Sequence, residues 1–273
     1  AYPVVIANCQ KGVISDLTGV YSRRHCVALG GRSGTGTVPT ADVLISGCIL
    51  ENISSNGIGA ADIHGGCVDI TYDNCIMEGA VIGGVNPTIR NSTIYGRPTG
   101  AYADGTCIVA SELVGGVYTL ENNRFMSFGD GSSYGMVWFD ISQRTEAWTL
   151  VMRNNTLVNP NTPVRGIHIA VGDASPPAFA ARVEVDGFAY VGGTLTQLLS
   201  LGGLNDVSTT MSGSLVNVTG TITTPLGASI NANYGVPVSF PKAAKGLKVR
   251  GDADATLVPR VDLETQLWST TLT

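Results

Sequence analysis

Four short segments of the 273-residue chain carry the side chains best suited to chemistry. Asp62 and His64 lie in ADIHGG, Tyr102 and Asp104 in AYADG, Trp138 and Asp140 in VWFD, and His168 in GIHIA. In each segment these residues alternate with apolar or small ones. A strand would therefore send them all to one face and put Ala61, Ile63, Ala103, Phe139, Ile167 and Ile169 on the other. Carboxylates on successive strands suit glycoside hydrolysis, in which one carboxyl group protonates the leaving oxygen and a second acts as nucleophile or base. Strands about 5 Å apart match a retaining pair, here Asp104 with Asp140, and two strand spacings, near 9 to 10 Å, match the upper edge of an inverting pair, here Asp62 with Asp104. Tyr102 and Trp138 offer aromatic faces to the C–H faces of sugar rings, while His64 and His168 offer directed hydrogen bonds to hydroxyls. A single outward Asp or His is ordinarily just a solvated edge residue. Only the column of them points to a binding groove.

A second cluster, YSRRHCVALGG, contains Arg23, Arg24 and His25 beside a Gly-Gly turn. An arginine fork grips a carboxylate in two parallel hydrogen bonds, so this pair suits an acidic sugar. His25, His64 or Tyr102 would then remove the proton next to a uronate carboxylate, making elimination the alternative to hydrolysis. Equally, the two arginines can lie along the edge of the fold and cover apolar surface with their stems.

Positioning such a column needs strands stacked in register, and the rest of the sequence supplies them. There are 35 glycines and only 14% charged residues, and the chain is rich in Thr, Val, Ile, Asn and Ser, a composition of strands and turns. The segments VLISGCI from Val43, ITYDNCI from Ile70, TIRNSTI from Thr88, TLENNRF from Thr119, VMRNNTL from Val151 and VEVDGFA from Val183 share one pattern. An apolar residue or Thr is followed by a Ser, Asn or Asp at the fourth place, and then by Asn, Gly or Ser. Their spacing, between 18 and 32 residues, is that of a coil of constant girth with loops of variable length. Asn, Asp and Gly suit the sharp bends because they tolerate left-handed backbone geometry. The fold class expected is all-β, a right-handed parallel β-helix or solenoid. Its runner-up, a β-sandwich, would not need Asn at a repeated rung position.

Residues 1–203 are read as the β-helix and residues 204–273 as a β-rich segment of looser pattern that caps the stack or joins copies of the chain. Cys26, Cys48 and Cys75 follow equivalent bends and are expected as reduced thiols stacked inside the coil. With six cysteines, no CxxC and three histidines, no metal or other cofactor is expected. A formal charge of −5 without a basic cluster argues against nucleic acid, and no apolar run is long enough to insert in a membrane. The chain begins with Ala rather than Met, which is expected of a mature product or a fragment.

RRHCVALGG, DIHGG and the repeated Asn/Asp-Asn/Gly bends together resemble the pectate-lyase-like β-helix of bacteriophage tailspikes and polysaccharide depolymerases over residues 1–203. They are also similar to secreted polysaccharide lyases of that fold. The resemblance implies a homotrimer on the virion tail, or else a secreted protein, that binds bacterial surface polysaccharide (capsule or O-antigen) and cleaves it. A receptor-binding fibre or adhesin that holds glycan without cleaving it is the remaining alternative.

Overall fold

The computed structural model describes residues 4–22, 25–30, 39–52, 59–96, 105–129, 135–140, 147–161, 163–170, 181–202, 209–229 and 266–272. Every regular element among them is a strand. The chain runs through three sheets in turn and comes back one strand spacing further along.

The first sheet stacks Val4–Ala7, Val27–Gly30, Ala61–Ile63, Ala80–Val85, the start of Ile108–Glu121, Val137–Asp140, Arg165–Ala170 and the end of Ala181–Gly202. The second stacks Gln10–Ser15, Ala41–Ser46, Val68–Asp73, Thr88–Arg90, the end of Ile108–Glu121, Trp148–Arg153 and the start of Ala181–Gly202. Thr18–Ser22, Ile49–Asn52, Ile76–Glu78, Thr93–Tyr95, Arg124–Met126 and Thr156–Asn159 form the third, which ends on the middle of Ala181–Gly202. All these pairings are parallel, and the architecture is a parallel β-helix. Thr209–Ser229 continues all three sheets in parallel, so the ladder runs on past residue 203. Gln266–Leu272 then adds to Thr209–Leu215 antiparallel.

Two bends show how the sequence makes the coil. Between the second and third sheets Gly47, Asn74, Asn91, Asn122, Asn154 and Gly187 all have positive φ. Where the chain enters the second sheet Lys11, Asp42, Asp69, Asn86 and Gly116 do the same. Asn, Asp and Gly carry this geometry at least cost, which explains their recurrence. The register corrects the alignment of the repeats by one place. Ser46 pairs with Asp73, Asp73 with Arg90, Arg90 with Glu121, Glu121 with Arg153 and Arg153 with Asp186. Asn91, Asn122 and Asn154 therefore match Gly47 and Asn74 rather than Ser46 and Asp73. The two columns look alike in sequence because either can hold Asn or Asp.

The residue after each left-handed position turns inward, and this inner column changes character along the stack. Cys48 and Cys75 are followed by Ser92, Asn123 and Asn155, all buried. The Cys75 N–H donates to Ser92 Oγ (3.0 Å), the Ser92 N–H to Asn123 Oδ1 (3.0 Å) and the Asn123 N–H to Asn155 Oδ1 (2.9 Å). Each Asn amide also donates to a carbonyl one rung back, Asn123 to Ile89 and Asn155 to Leu120, both at 2.8 Å. Above and beside this ladder the core is apolar, built on Leu29, Ile45, Leu50, Ile63, Ile70, Phe125, Phe139 and Phe188. All six cysteines are free, and five are buried.

Candidate functional site

Alternation along the first sheet decides which side chains leave the core. Ala61, Ile63, Ala80, Ile82, Ile108, Ala110, Val137, Phe139, Ile167 and Ile169 belong to the core cluster. Between them lies an outer column whose members pair in the order Ala28, Asp62, Val81, Val109, Trp138, His168 and Ser200. The column departs from expectation at one rung. Ile108, Val109 and Ala110 supply the strand that AYADG was expected to supply, and Val109 stands next to Val81. Tyr102 and Asp104 lie outside the described residues, as do Arg23 and Arg24.

The column is also less open than its outward direction suggests. Ala28, Asp62, Val81, Val109 and His168 are all buried, and Trp138 is half-buried. Facing away from the core therefore does not amount to facing water.

The most developed cluster of ionisable groups sits near the start of the column. Asp62 is only 1% exposed, and a carboxylate so buried is costly without partners. Two imidazoles flank it. His64 Nε2 lies 2.9 Å from Asp62 Oδ2 and His25 Nε2 lies 3.4 Å from the same oxygen. Oδ2 is itself buried and takes no well-aligned hydrogen bond from either ring. The His25 ring is buried with the carboxylate, whereas the His64 side chain is 43% exposed. On its other edge, His25 Nδ1 lies 2.7 Å from the Gly59 carbonyl oxygen. The charge of Asp62 also reaches inward. Burial first, and then that charge, hold the Tyr72 phenol well above its ordinary range, and the Tyr72 hydroxyl is buried without a hydrogen-bond partner.

Sequence spacing placed Asp62 and His64 together but left His25 in a separate cluster. The missing signal is a strand alignment. Pairing Val27 with Ala61 brings His25 opposite Gly59, directly before the Asp62 strand. That pairing spans a whole turn of the coil, including Ala41–Ser46 and Ile49–Asn52, whose length spacing alone does not resolve.

The second cluster lies further along the stack. Trp138 and His168 are direct partners on adjacent strands, and Asp140 pairs with Ala170 at the end of the same ladder. Gly135, at φ +77°, lets the chain pass close to His168, since a Cβ there would stand 3.0 Å from the His168 Cβ. Asp62 and Trp138 are separated by the rungs of Val81 and Val109. At about 4.8 Å per rung that is roughly 14 Å along the axis, so Asp62 and Asp140 do not form a glycosidase pair with one another. Among the described residues no group of three or more His, Cys, Asp or Glu is arranged to hold a metal ion.

Comparison with known proteins bears on this arrangement. The family described as Gp49, pectin lyase-like, matches residues 1–221. Among solved structures the chain is similar to the Pseudomonas phage phi297 tailspike gp61, with 24% identity and a TM-score of 0.66 over 100% of this chain and 55% of that one. It is similar to the Gp54 tailspike of Acinetobacter baumannii bacteriophage AP22, whose structure is a complex with A. baumannii capsular saccharide, at 20% identity and a TM-score of 0.61 over 78% of this chain and 41% of that one. Tailspike protein gp49 from Pseudomonas phage LKA1 is similar at 20% identity and a TM-score of 0.57, over 88% of this chain and 45% of that one. This chain spans about half the length of those tailspikes. No curated protein matches.

Proposed function

The chain belongs to the Gp49, pectin lyase-like family, and from that premise we propose that it is the β-helix of a phage tailspike that binds and cleaves host surface polysaccharide, capsule or O-antigen. The observation that carries this reading is the match of residues 1–221 to that family on a parallel β-helix. A linear glycan would meet the outer face of the first sheet at its open members, with half-buried Trp138 against a sugar ring and half-exposed His64 toward hydroxyls, while buried His168 would serve only if its rung opened. The capsular saccharide bound by the AP22 tailspike, a protein of the same fold, supports that class of ligand. We place the protein on the virion tail as a homotrimer, with residues 204–273 serving the association of copies.

Cleavage by hydrolysis uses two carboxylates. With Asp62 and Asp140 at least about 14 Å apart, this reading rests on Asp104 with Asp140, or on Asp62 with Asp104. The Asp62–His64 contact favours a second reading, elimination at a uronate. There a half-exposed imidazole is backed by a buried carboxylate, the usual arrangement of a general base, while Arg23 or Arg24 neutralises the sugar carboxylate.

Incubation with purified capsule or O-antigen separates these readings. New reducing ends without ultraviolet absorbance mean hydrolysis, and new reducing ends with the absorbance of an unsaturated uronate mean elimination. Binding without either leaves an adhesin. A protein that neither binds nor cleaves any surface polysaccharide of its host overturns the proposal.

A further inference from the structure

The three faces of the coil differ in what they offer a partner. The outer column of the first sheet is largely buried within one chain. The second sheet is clothed in charge: Asp73, Arg90, Glu121, Arg153 and Asp186 stand on successive rungs with alternating sign. Arg90 meets Asp73 at 2.8 Å and Arg153 meets Glu184 at 3.5 Å, the arrangement of a solvated face. The third sheet is the contrary case. It buries Met77, Ile94, Phe125, Leu157 and Tyr190 completely, and alternation turns their neighbours outward. Ile49 and Ile76 pair in one outward row, and Tyr95, Met126, Val158 and Val191 pair in turn in the next. Ile49, Ile76, Tyr95 and Val191 are between 37% and 43% exposed, and Met126 and Val158 are half-buried. Two residues beyond Met126, Phe128 adds a ring that is 57% exposed. The result is an apolar stripe on consecutive rungs, about 24 Å long at about 4.8 Å per rung.

Such a stripe fits a second copy of the chain better than a saccharide. Ile, Val and Met side chains have no strong group with which to bond a hydroxyl, whereas Tyr, Phe and Met with little charge among them are the composition of an interface core. A closed ring of copies adds a condition of its own. Near the axis each residue faces its own counterparts, so a charge there repels itself. From Tyr95 to Val191 the row carries no charge, and Arg124 stands in the row beside it. The row turns acidic only at Glu78, the rung partner of Tyr95, so the closest approach begins with Tyr95. A strip of that length and about 10 Å wide amounts to a few hundred Å², the size at which an exposed apolar patch on one chain is commonly functional. It falls short of the roughly 800 Å² that each partner of a stable interface buries, so the stripe supplies the axial part of a contact that residues 204–273 complete. We propose that the outer face of the third sheet, centred on Tyr95, Met126, Val158 and Val191, is where copies of the chain pack around a threefold axis parallel to the stack. This rests on the homotrimer reading of the protein and adds to it the face that makes the contact.

Cross-linking and light scattering of the full chain test the proposal. Val191→Cys sets a thiol on the exposed row, and a short bismaleimide should then join subunits in pairs on a denaturing gel. Val117→Cys, at a similarly exposed valine where the chain enters the second sheet, should stay single, as should the wild type, whose six cysteines include five buried ones. Val158→Glu would set like charges against one another, and should raise the concentration at which the trimer dissociates at least about tenfold, while Val117→Glu leaves it unchanged. A trimer mass with Val191→Cys uncoupled, or a Val158→Glu protein that associates as the wild type does, puts the contact on another face and overturns the proposal while the trimer stands. A wild type of single-chain mass removes the trimer and the proposal with it. If Val158→Glu loses saccharide binding with association intact, the stripe is a glycan surface and the proposal is likewise overturned. Should Val158→Glu fail to fold, the Val191→Cys coupling decides by itself.

Discussion

At the scale of single residues, burial does more than sequence type to set chemical character. The Cys75 thiol shows this. Burial, opposed by hydrogen bonds to backbone carbonyls, pushes it up to about 11, and burial pushes the Tyr190 phenol up to about 12. Both groups are neutral in the folded protein and would ionise earlier in the unfolded chain, the thiol from about pH 8.5. Their contribution to stability is therefore complete below about pH 8.5 and is lost as the pH rises toward 11 and 12. Melting temperatures should be flat around neutrality and fall above that point, and Cys75→Ala should fall less steeply between about pH 8.5 and 11 than wild type. Equal slopes would mean that the thiol is not shielded as the structure has it. Asp73 runs the other way. Burial alone would raise it, but hydrogen bonds from Asn91 and Arg90 outweigh that and hold its carboxyl below the usual range. Its contribution is present above the ordinary carboxylate range and is lost as the pH falls through its lowered value. Trp138 belongs to this scale as well. If it stacks on a sugar ring, Trp138→Ala should weaken saccharide binding about 5- to 30-fold by titration calorimetry, the equivalent of roughly 1–2 kcal/mol. Unchanged affinity would remove Trp138 from the glycan path.

At the scale of elements, the bends between sheets carry the repeat, and each of their two columns has its own physical demand. Asn122 occupies a left-handed position at φ 54°, where a Cβ-bearing residue without a compensating side chain is strained. Asn122→Gly should leave stability within about 0.5 kcal/mol and Asn122→Ala should cost about 1 kcal/mol in urea denaturation. The neighbouring inner column responds differently. Asn123 accepts from the Ser92 N–H and donates to the Ile89 carbonyl, so Asn123→Ala strands two buried backbone groups and should cost about 2–4 kcal/mol. If the two positions respond alike to Ala, the inner ladder does not bear the strain assigned to it. The sequence displays this pair of columns as a run of Asn-Asn and Asn-Ser dipeptides, but not which of the two faces inward. That depends on the register, which shifted the alignment of three segments by one residue.

At the scale of the molecule, the parallel stack converts a loosely spaced repeat into a continuous face, and the antiparallel strand Gln266–Leu272 gives that stack a partner of a different kind at Thr209–Leu215. A parallel ladder otherwise ends on unpaired backbone groups that recruit further strands. The trimer we propose belongs here: light scattering of the whole chain should give three times the chain mass, and a mass of one chain would rule the trimer out. Deleting Gln266–Leu272 should then lower that mass or bring on aggregation, because it uncovers the strand beneath.

What the amino-acid sequence determined by itself is the coil. Its turn residues and alternating strands state local backbone preferences, and those act wherever the chain happens to lie. It also brought Asp62 and His64 together, and Trp138 with Asp140, because each pair is two residues apart along one short segment. The tertiary structure decided everything that passes between rungs. Loops of unequal length separate the strands, so only the folded register shows that Val109 takes the rung expected of Tyr102, that Asp62 and Asp140 stand too far apart to act as a pair, and that His25 reaches Asp62 from the rung before. Burial of the outer column was likewise beyond the sequence, since alternation gives the direction of a side chain and says nothing of what lies over it.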